Sequence, residues 1–261
     1  MRAVGKRTML IIALWLAAHA GAWAQAPAAT PASAPEAVAA PAAPVPPAVP
    51  AAAAPAPAPV AAAAPAPAPL TRPGMVATDT INAADTAWMM TSTALVLLMT
   101  LPGIALFYAG MVRKKSVINT MACVVAIAAL VSLLWYAVGY SWAFTPGSSF
   151  LGNGDRMWFS GLDYLKESGK VAVSHIAPNI PESVYSMYQL TFAIITAALV
   201  VGAFVERMKF SAMLWFIGMW SLVVYAPIAH WVWEPGGWLA KLGALDFAGG
   251  SVVHINAGIS G

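Results

Sequence analysis

From residue 86 onward the chain alternates long uncharged stretches with short charged breaks. Residues 86–112, 116–154, 183–205 and 210–233 contain no Asp, Glu, Lys or Arg. Each exceeds the roughly 20 residues that a helix needs to cross a hydrocarbon core of ~30 Å. The pattern predicts membrane helices near 87–111, 118–144, 183–206 and 210–232. A fifth apolar run begins near Phe247 and stops at Gly261, after about two thirds of a crossing. It meets no stop signal, loop or basic flank, so the sequence reads as truncated within that helix. The expected fold class is all-α: a polytopic transmembrane helix bundle of about five helices, with no soluble domain.

The first 78 residues follow a different pattern. Arg2, Lys6 and Arg7 precede a short apolar core at 9–18 (MLIIALWLAA), and Ala22, Trp23 and Ala24 supply a small-x-small site. This reads as a signal peptide over 1–24, its core too short to span a bilayer; a retained signal anchor is the alternative. Residues 25–74 are almost pure Ala and Pro and hold 15 of the 21 prolines. Proline at that density favours extended polyproline II, and the near absence of large apolar side chains leaves nothing to offset ordering entropy. A disordered linker is therefore expected over 25–78. It acts as a spacer rather than as a ligand for Pro-recognition domains, and the membrane domain occupies 79–261.

Charge sets the orientation. Only 9% of residues are charged and 60% are hydrophobic, where a soluble domain carries about 25% charged. An ordinary cytosolic enzyme and a nucleic-acid binder are excluded, and nothing points to catalysis. The net charge of +3 comes from Arg2, Lys6 and Arg7, because residues 8–261 carry ten basic and ten acidic groups. Arg113, Lys114 and Lys115 follow the first helix, and Arg207 and Lys209 follow the third. Two crossings separate these loops, so both belong on the cytoplasmic side. The charges of 145–182 sum to −1, as expected outside, and the N-terminus is external after signal cleavage. Trp88, Trp142, Trp231 and Trp233 fall at the outer helix ends, where amphipathic rings favour the headgroup region. The expected location is a bacterial-type inner membrane, crossed several times.

Few residues in the apolar stretches carry chemistry. Ionisable groups at membrane depth are costly and are functional candidates by default. Asp246 sits where a helix N-cap belongs, accepting from the N–H of Ala248 or Gly249. It also stands where an acid would draw a cation to the bundle's mouth. His254, eight residues on, reaches about 12 Å deeper along a helix axis and is read as a neutral ring. It serves a helix–helix hydrogen bond, a pore lining or, with His230, a haem. The different depths of the two histidines match a haem poorly. Glu206 and Arg207 read as a cytoplasmic anchor pair, and His175 as part of a polar loop. Tyr188, Phe192 and Trp233 pack against neighbours or lipid, or bind a cation through their ring faces. Cys123 is the only cysteine, which excludes an intrachain disulfide and a cysteine-based metal site; no cofactor is expected.

Four segments carry a resemblance that chooses among these readings. They are residues 84–110 (ADTAWMMTSTALVLLMTLPGIALFYAG), 202–212 (GAFVERMKFSA), 225–233 (YAPIAHWVW) and 243–256 (GALDFAGGSVVHIN). Together and in this order they resemble the ammonium transporter (Amt/MEP/Rh) family over residues 84–261. The resemblance implies an inverted-repeat fold of eleven spans, a homotrimer and a narrow apolar pore for ammonium or ammonia. It assigns substrate recruitment to Phe192, Trp233 and Asp246, with Phe192 also gating the pore, and the pore lining to His254, the first of two facing histidines. Departures are Glu234 and Pro235, which make an acidic turn one residue longer than usual, and Tyr188, where a phenylalanine is common. The second histidine, the recruiting serine and the inner gate phenylalanine belong to helices beyond residue 261.

The implied function is ammonium transport. NH4+ gathers at an outer vestibule through cation–π contact with Trp233 and the field of Asp246, and passage continues through an apolar pore past His254. The alternatives are an ammonium-sensing regulatory membrane module and an inactive truncated fragment. The implied partners are ammonium, the lipid bilayer, two further copies of the chain and, in the cytoplasm, a PII-type signal protein.

Overall fold

The structure, a computed structural model, describes residues 70–261. The expected signal peptide and the linker up to residue 69 lie outside the described residues. Among the described residues, four helices are long and apolar enough to cross a membrane: α1 (Ala83–Met111), α2 (Lys114–Phe144), α3 (Glu182–Ala203) and α4, over 210–233. A one-turn helix, α5 (Trp238–Lys241), follows α4, and α6 covers 250–260.

α1 starts four residues earlier than the hydrophobic pattern suggests. The Asn82 side chain caps it, accepting from the N–H groups of Ala84 at 2.9 Å and Asp85 at 3.1 Å, which satisfies two donors that the first turn leaves open. α6 starts later than expected, at Gly250 rather than Phe247. Gly249 before it has φ +81°, and a Cβ there would lie 2.7 Å from the Val253 side chain. Only glycine makes that turn without strain.

Four segments take the wider π-helical turn: Met99–Ile104 in α1, Trp135–Gly139 in α2, Ser221–Tyr225 in α4 and Gly250–Ile255 in α6. Pro102, which has no N–H to donate, falls inside the first. α3 is the central helix. Two thirds of its apolar window (67%) is buried, against 17% for α1, and it packs against α1, α2 and α6. The main core joins α2, α3 and α4 through residues such as Ile127, Val131, Ala197 and Ile217.

The all-α expectation needs one correction. Gly74–Ala77 (β1), Tyr164–Leu165 (β2) and Lys170–Val173 (β3) form an antiparallel sheet in the order β1-β3-β2. Gly74 pairs with Val173 and Ala77 with Lys170. Residues 74–77, expected at the end of the linker, are thus tied to the α2–α3 connection, where Val171, Ala172 and Val173 are buried. The sheet lies at one end of the bundle. The two short basic loops meet at the other, where Arg113 Nε is 3.1 Å from Glu206 Oε1.

Candidate vestibule and its supporting network

At the sheet-bearing end, α3, the end of α4 and the approach to α6 surround a cavity of about 370 Å3. Its wall includes Tyr188, Gln189, Phe192, Trp233 and Asp246. Three of the four residues singled out in the sequence thus meet in one place. Tyr188 and Phe192, four apart on α3, stand edge to face at 4.9 Å. Phe192 meets the Trp233 ring at 6.0 Å and 73°. Phe144, at the end of α2, stacks on Trp233 at 6.2 Å and 15°. The indole N–H of Trp233 donates to the Asp246 carbonyl at 3.2 Å. Each aromatic partner removes a rotamer choice, so the indole is held by three elements at once.

Asp246 does cap the last helix, more completely than a single bond. Oδ1 accepts from Gly249 at 2.6 Å and Gly250 at 2.8 Å; Oδ2 accepts from Ser251 at 2.8 Å and Val252 at 3.0 Å. All four open N–H groups of the helix start are satisfied by one carboxylate, which also faces the positive end of the helix dipole.

His254 is not in the cavity wall. It sits in the π segment of α6 on an exposed position next to buried Val253. Val253 belongs to a small apolar cluster with Ile104, Val124 and Ile195, against which Phe192 and Trp233 also pack. His230 is fully buried, with Nδ1 at 3.1 Å from the Ala143 carbonyl and Nε2 at 2.9 Å from the Ser148 carbonyl. Neither ring nitrogen is left for a metal, which removes it as a haem ligand.

Comparison with known proteins settles the family. The model of the Ammonium Transporter Family matches residues 87–261. The chain is 47% identical over 180 residues to a putative ammonium transporter of Methanothermobacter thermautotrophicus, covering 69% of this chain and 42% of that protein. It is 46% identical over 177 residues to the ammonium transporter of Bacillus subtilis, covering 68% and 42%. Among solved structures, Candida albicans Mep2 superposes with a TM-score of 0.61 at 36% identity, covering 69% of this chain and 38% of that one. The chain belongs to the ammonium transporter family. It spans about two fifths of the length of these curated relatives, and it is a multi-pass membrane protein.

Several charged residues outside the cavity wall gave no sequence signal of their partners. Glu182, the first residue of α3, is completely buried and holds Arg156 through two bonds, Nε–Oε1 at 2.9 Å and Nη2–Oε2 at 3.0 Å. The Tyr140 hydroxyl donates to the same Oε1 at 2.9 Å. His175, read as part of a polar loop, is instead buried against Glu234, Nε2 to Oε1 at 2.9 Å. Glu206 pairs with Arg113 across the bundle rather than acting with Arg207 alone. Arg113 holds the Glu206 carboxyl below its ordinary range. A charge count treats these groups as solvated. What marks Arg156, Glu182, His175 and Glu234 in the structure is burial, which depends on contacts between α2, α4 and the connection over 145–181, whereas Arg113 and Glu206 stay exposed.

Proposed function

We propose that this protein carries ammonium or ammonia across a bacterial-type inner membrane. The sheet-bearing end faces outward and the Arg113 and Arg207 loops face the cytoplasm, as the basic residues of the short loops require. The observation that carries the reading is the meeting of Phe192, Trp233 and Asp246 around one cavity at the sheet-bearing end.

NH4+ is costly to strip of water, and an indole face returns about 0.5–2 kcal/mol of that cost by cation–π attraction. The Asp246 carboxylate is engaged by four backbone N–H groups. Its role at the mouth is to hold the turn and to present its own backbone carbonyl to Trp233. Beyond Phe192 the apolar layer of Ile104, Val124, Ile195 and Val253 opposes a bare ion and lets neutral ammonia pass. His254 follows Val253 of that layer along α6. Its ring guides ammonia or hands a proton onward, in a homotrimer whose subunits each conduct. A second reading, an ammonium sensor that signals through a PII-type partner, uses the same vestibule and differs in what the cytoplasmic side contacts.

The test is ammonium flux in proteoliposomes made with the natural protein from its own membranes. Transport predicts saturable ammonium flux that excludes K+, and a changed conductance or proton coupling in His254→Ala. Unchanged flux and ion selectivity in His254→Ala would remove that residue from the pore. Ammonium binding without flux would favour the sensor.

A further inference from the structure

α2 carries an exposed apolar stripe that stops abruptly. Ile118, Ala122, Val125, Ala129, Leu133 and Tyr136 are exposed and recur at steps of three or four, so they share one helix face. From Ile118 to Tyr136 the stripe rises about 27 Å at 1.5 Å per residue, close to the ~30 Å of a hydrocarbon core. Past Tyr136 no residue of α2 is exposed as far as its end at Phe144. That part is covered by α4 and by the α2–α3 connection, where Ser141 Oγ donates to the Asn153 carbonyl at 2.7 Å and Phe159 stands edge-on to Tyr140 at 5.8 Å.

The connection places a strained turn at the point where the stripe ends. Trp158 and Phe159 have φ +56° and +55°, the left-handed region where an L side chain crowds its own backbone. Such residues persist where their surroundings leave no other choice. Here Arg156 is clamped by buried Glu182 and also donates Nη1 to the Ser160 carbonyl at 3.4 Å. The Phe159 ring meets Tyr136 at 5.2 Å and 76°, so packing accounts for one of the two strained aromatics. It does not account for the other. Trp158 is 63% exposed and touches Tyr136, itself 44% exposed, edge to face at 5.7 Å and 75°. Its strain is not offset by burial among the described residues.

We propose that Tyr136 and Trp158 form an anchor in the lipid headgroup layer at the sheet-bearing end, and that the Ile118–Tyr136 stripe faces the acyl chains. A phenol and an indole each join an apolar body to a polar tip, which suits that layer. At the other end of the stripe Lys114 and Lys115 are exposed, and their ammonium groups meet lipid phosphates. Trp142 and Trp233, at the ends of α2 and α4, pack against the core and leave this role to the loop tryptophan. The anchor also sets a height. Phe144, which stacks on Trp233 in the cavity wall, stands eight residues beyond Tyr136, or about 12 Å along α2. A hydrated ammonium ion then reaches Trp233 without entering hydrocarbon. This last consequence rests on the vestibule reading above; the lipid boundary at Tyr136 does not.

Spin labels on Leu133→Cys, Tyr136→Cys and Gly154→Cys, in the natural protein made cysteine-free by Cys123→Ala, test the boundary. The protein is held in vesicles of phosphatidylethanolamine and phosphatidylglycerol and exposed to oxygen, which collects in lipid, or to a nickel chelate, which stays in water. The ratio of oxygen to nickel collisions is expected to fall several-fold from Leu133→Cys to Gly154→Cys, with Tyr136→Cys between them. A label at Leu133 or Tyr136 as open to nickel as the one at Gly154 would overturn the boundary. Neither reagent reaching Leu133 and Tyr136 would show that protein, a second copy or another part of the natural chain, covers the stripe, and would overturn it equally. Trp158→Gly tests the anchor, because it removes both the ring and the strain. Its unfolding midpoint in detergent is expected to hold or rise, while quenching of tryptophan emission by phospholipid brominated near the headgroup falls below that of the wild type. Equal quenching of the two proteins would overturn the anchor. Labelling of Gly154→Cys by an impermeant maleimide in intact spheroplasts is expected; labelling only after lysis would overturn the outward orientation and the link to recruitment, while the boundary result stands on its own.

Discussion

The two ends of the bundle each use an Arg–Glu pair, and the pairs differ in what surrounds them. At the sheet-bearing end Arg156 and Glu182 have side chains 14% and 0% exposed, and the contact is bidentate. At the basic end Arg113 and Glu206 are 65% and 29% exposed and meet through a single guanidinium nitrogen. In water an ion pair gains little because solvent competes for both charges and salt screens them. In a dry site, losing one partner strands the other with its full desolvation cost. The same two residue types therefore act as a structural bolt at one end and as a loop tether at the other. The bolt stands at the end of the bundle that carries the cavity. His175–Glu234 and the His230 bonds follow the same rule, since all are buried around that cavity.

The sharpest way to break this contrast is Glu182→Ala, which leaves Arg156 and the Tyr140 hydroxyl without their acceptor. The expected loss is about 3–5 kcal/mol in detergent-solubilised unfolding; a loss as small as that of a surface pair would erase the difference between the two ends. Gly202→Ala probes the basic end by packing instead of charge. A Cβ at 202 would lie 2.5 Å from the Tyr108 ring, whose hydroxyl donates to the Leu199 carbonyl at 2.7 Å. Overpacking of this kind costs about 1–3 kcal/mol, read as a lowered unfolding midpoint. Asp246→Asn keeps the shape of the cap and removes its charge and one strong acceptor. About 1–2 kcal/mol and faster hydrogen exchange at the amides of residues 249–252 are expected.

Glu206→Gln should have the smallest effect, vanishing as salt is added. Its pH dependence has a defined sign. Because Arg113 holds the folded-state carboxyl below its ordinary range, the contribution of Glu206 is complete above the ordinary glutamate range. It is lost as pH falls through the lowered value. An unfolding series against pH, wild type minus Glu206→Gln, shows that difference only on the acid side.

How much of this was legible in the sequence follows from the range of each interaction. The four spans were visible because the absence of charge over some twenty residues is a local property. The shared side of the two basic loops followed from counting crossings, and the Arg113–Glu206 contact agrees with it. Asp246 as a cap was readable from its place before a helical run, and Gly249 is among its donors. The late start of α6 was not readable, because it needs the left-handed turn at Gly249. The sheet escaped because Gly74–Ala77 and Lys170–Val173 are short, lack a long alternating pattern and lie far apart in sequence. That Phe192, Trp233 and Asp246 belong together came from family resemblance; spacing alone left their roles open. The buried partners of Glu182, His175 and His230 are all long-range contacts, and no local pattern announces them.

Ammonium dependence of flux in Trp233→Leu, beside wild type in the same proteoliposomes, tests the vestibule most directly. Recruitment at Trp233 predicts a higher half-saturating ammonium concentration or weaker discrimination against K+, with flux still present. Identical saturation and selectivity in the two proteins would contradict a cation site at that cavity.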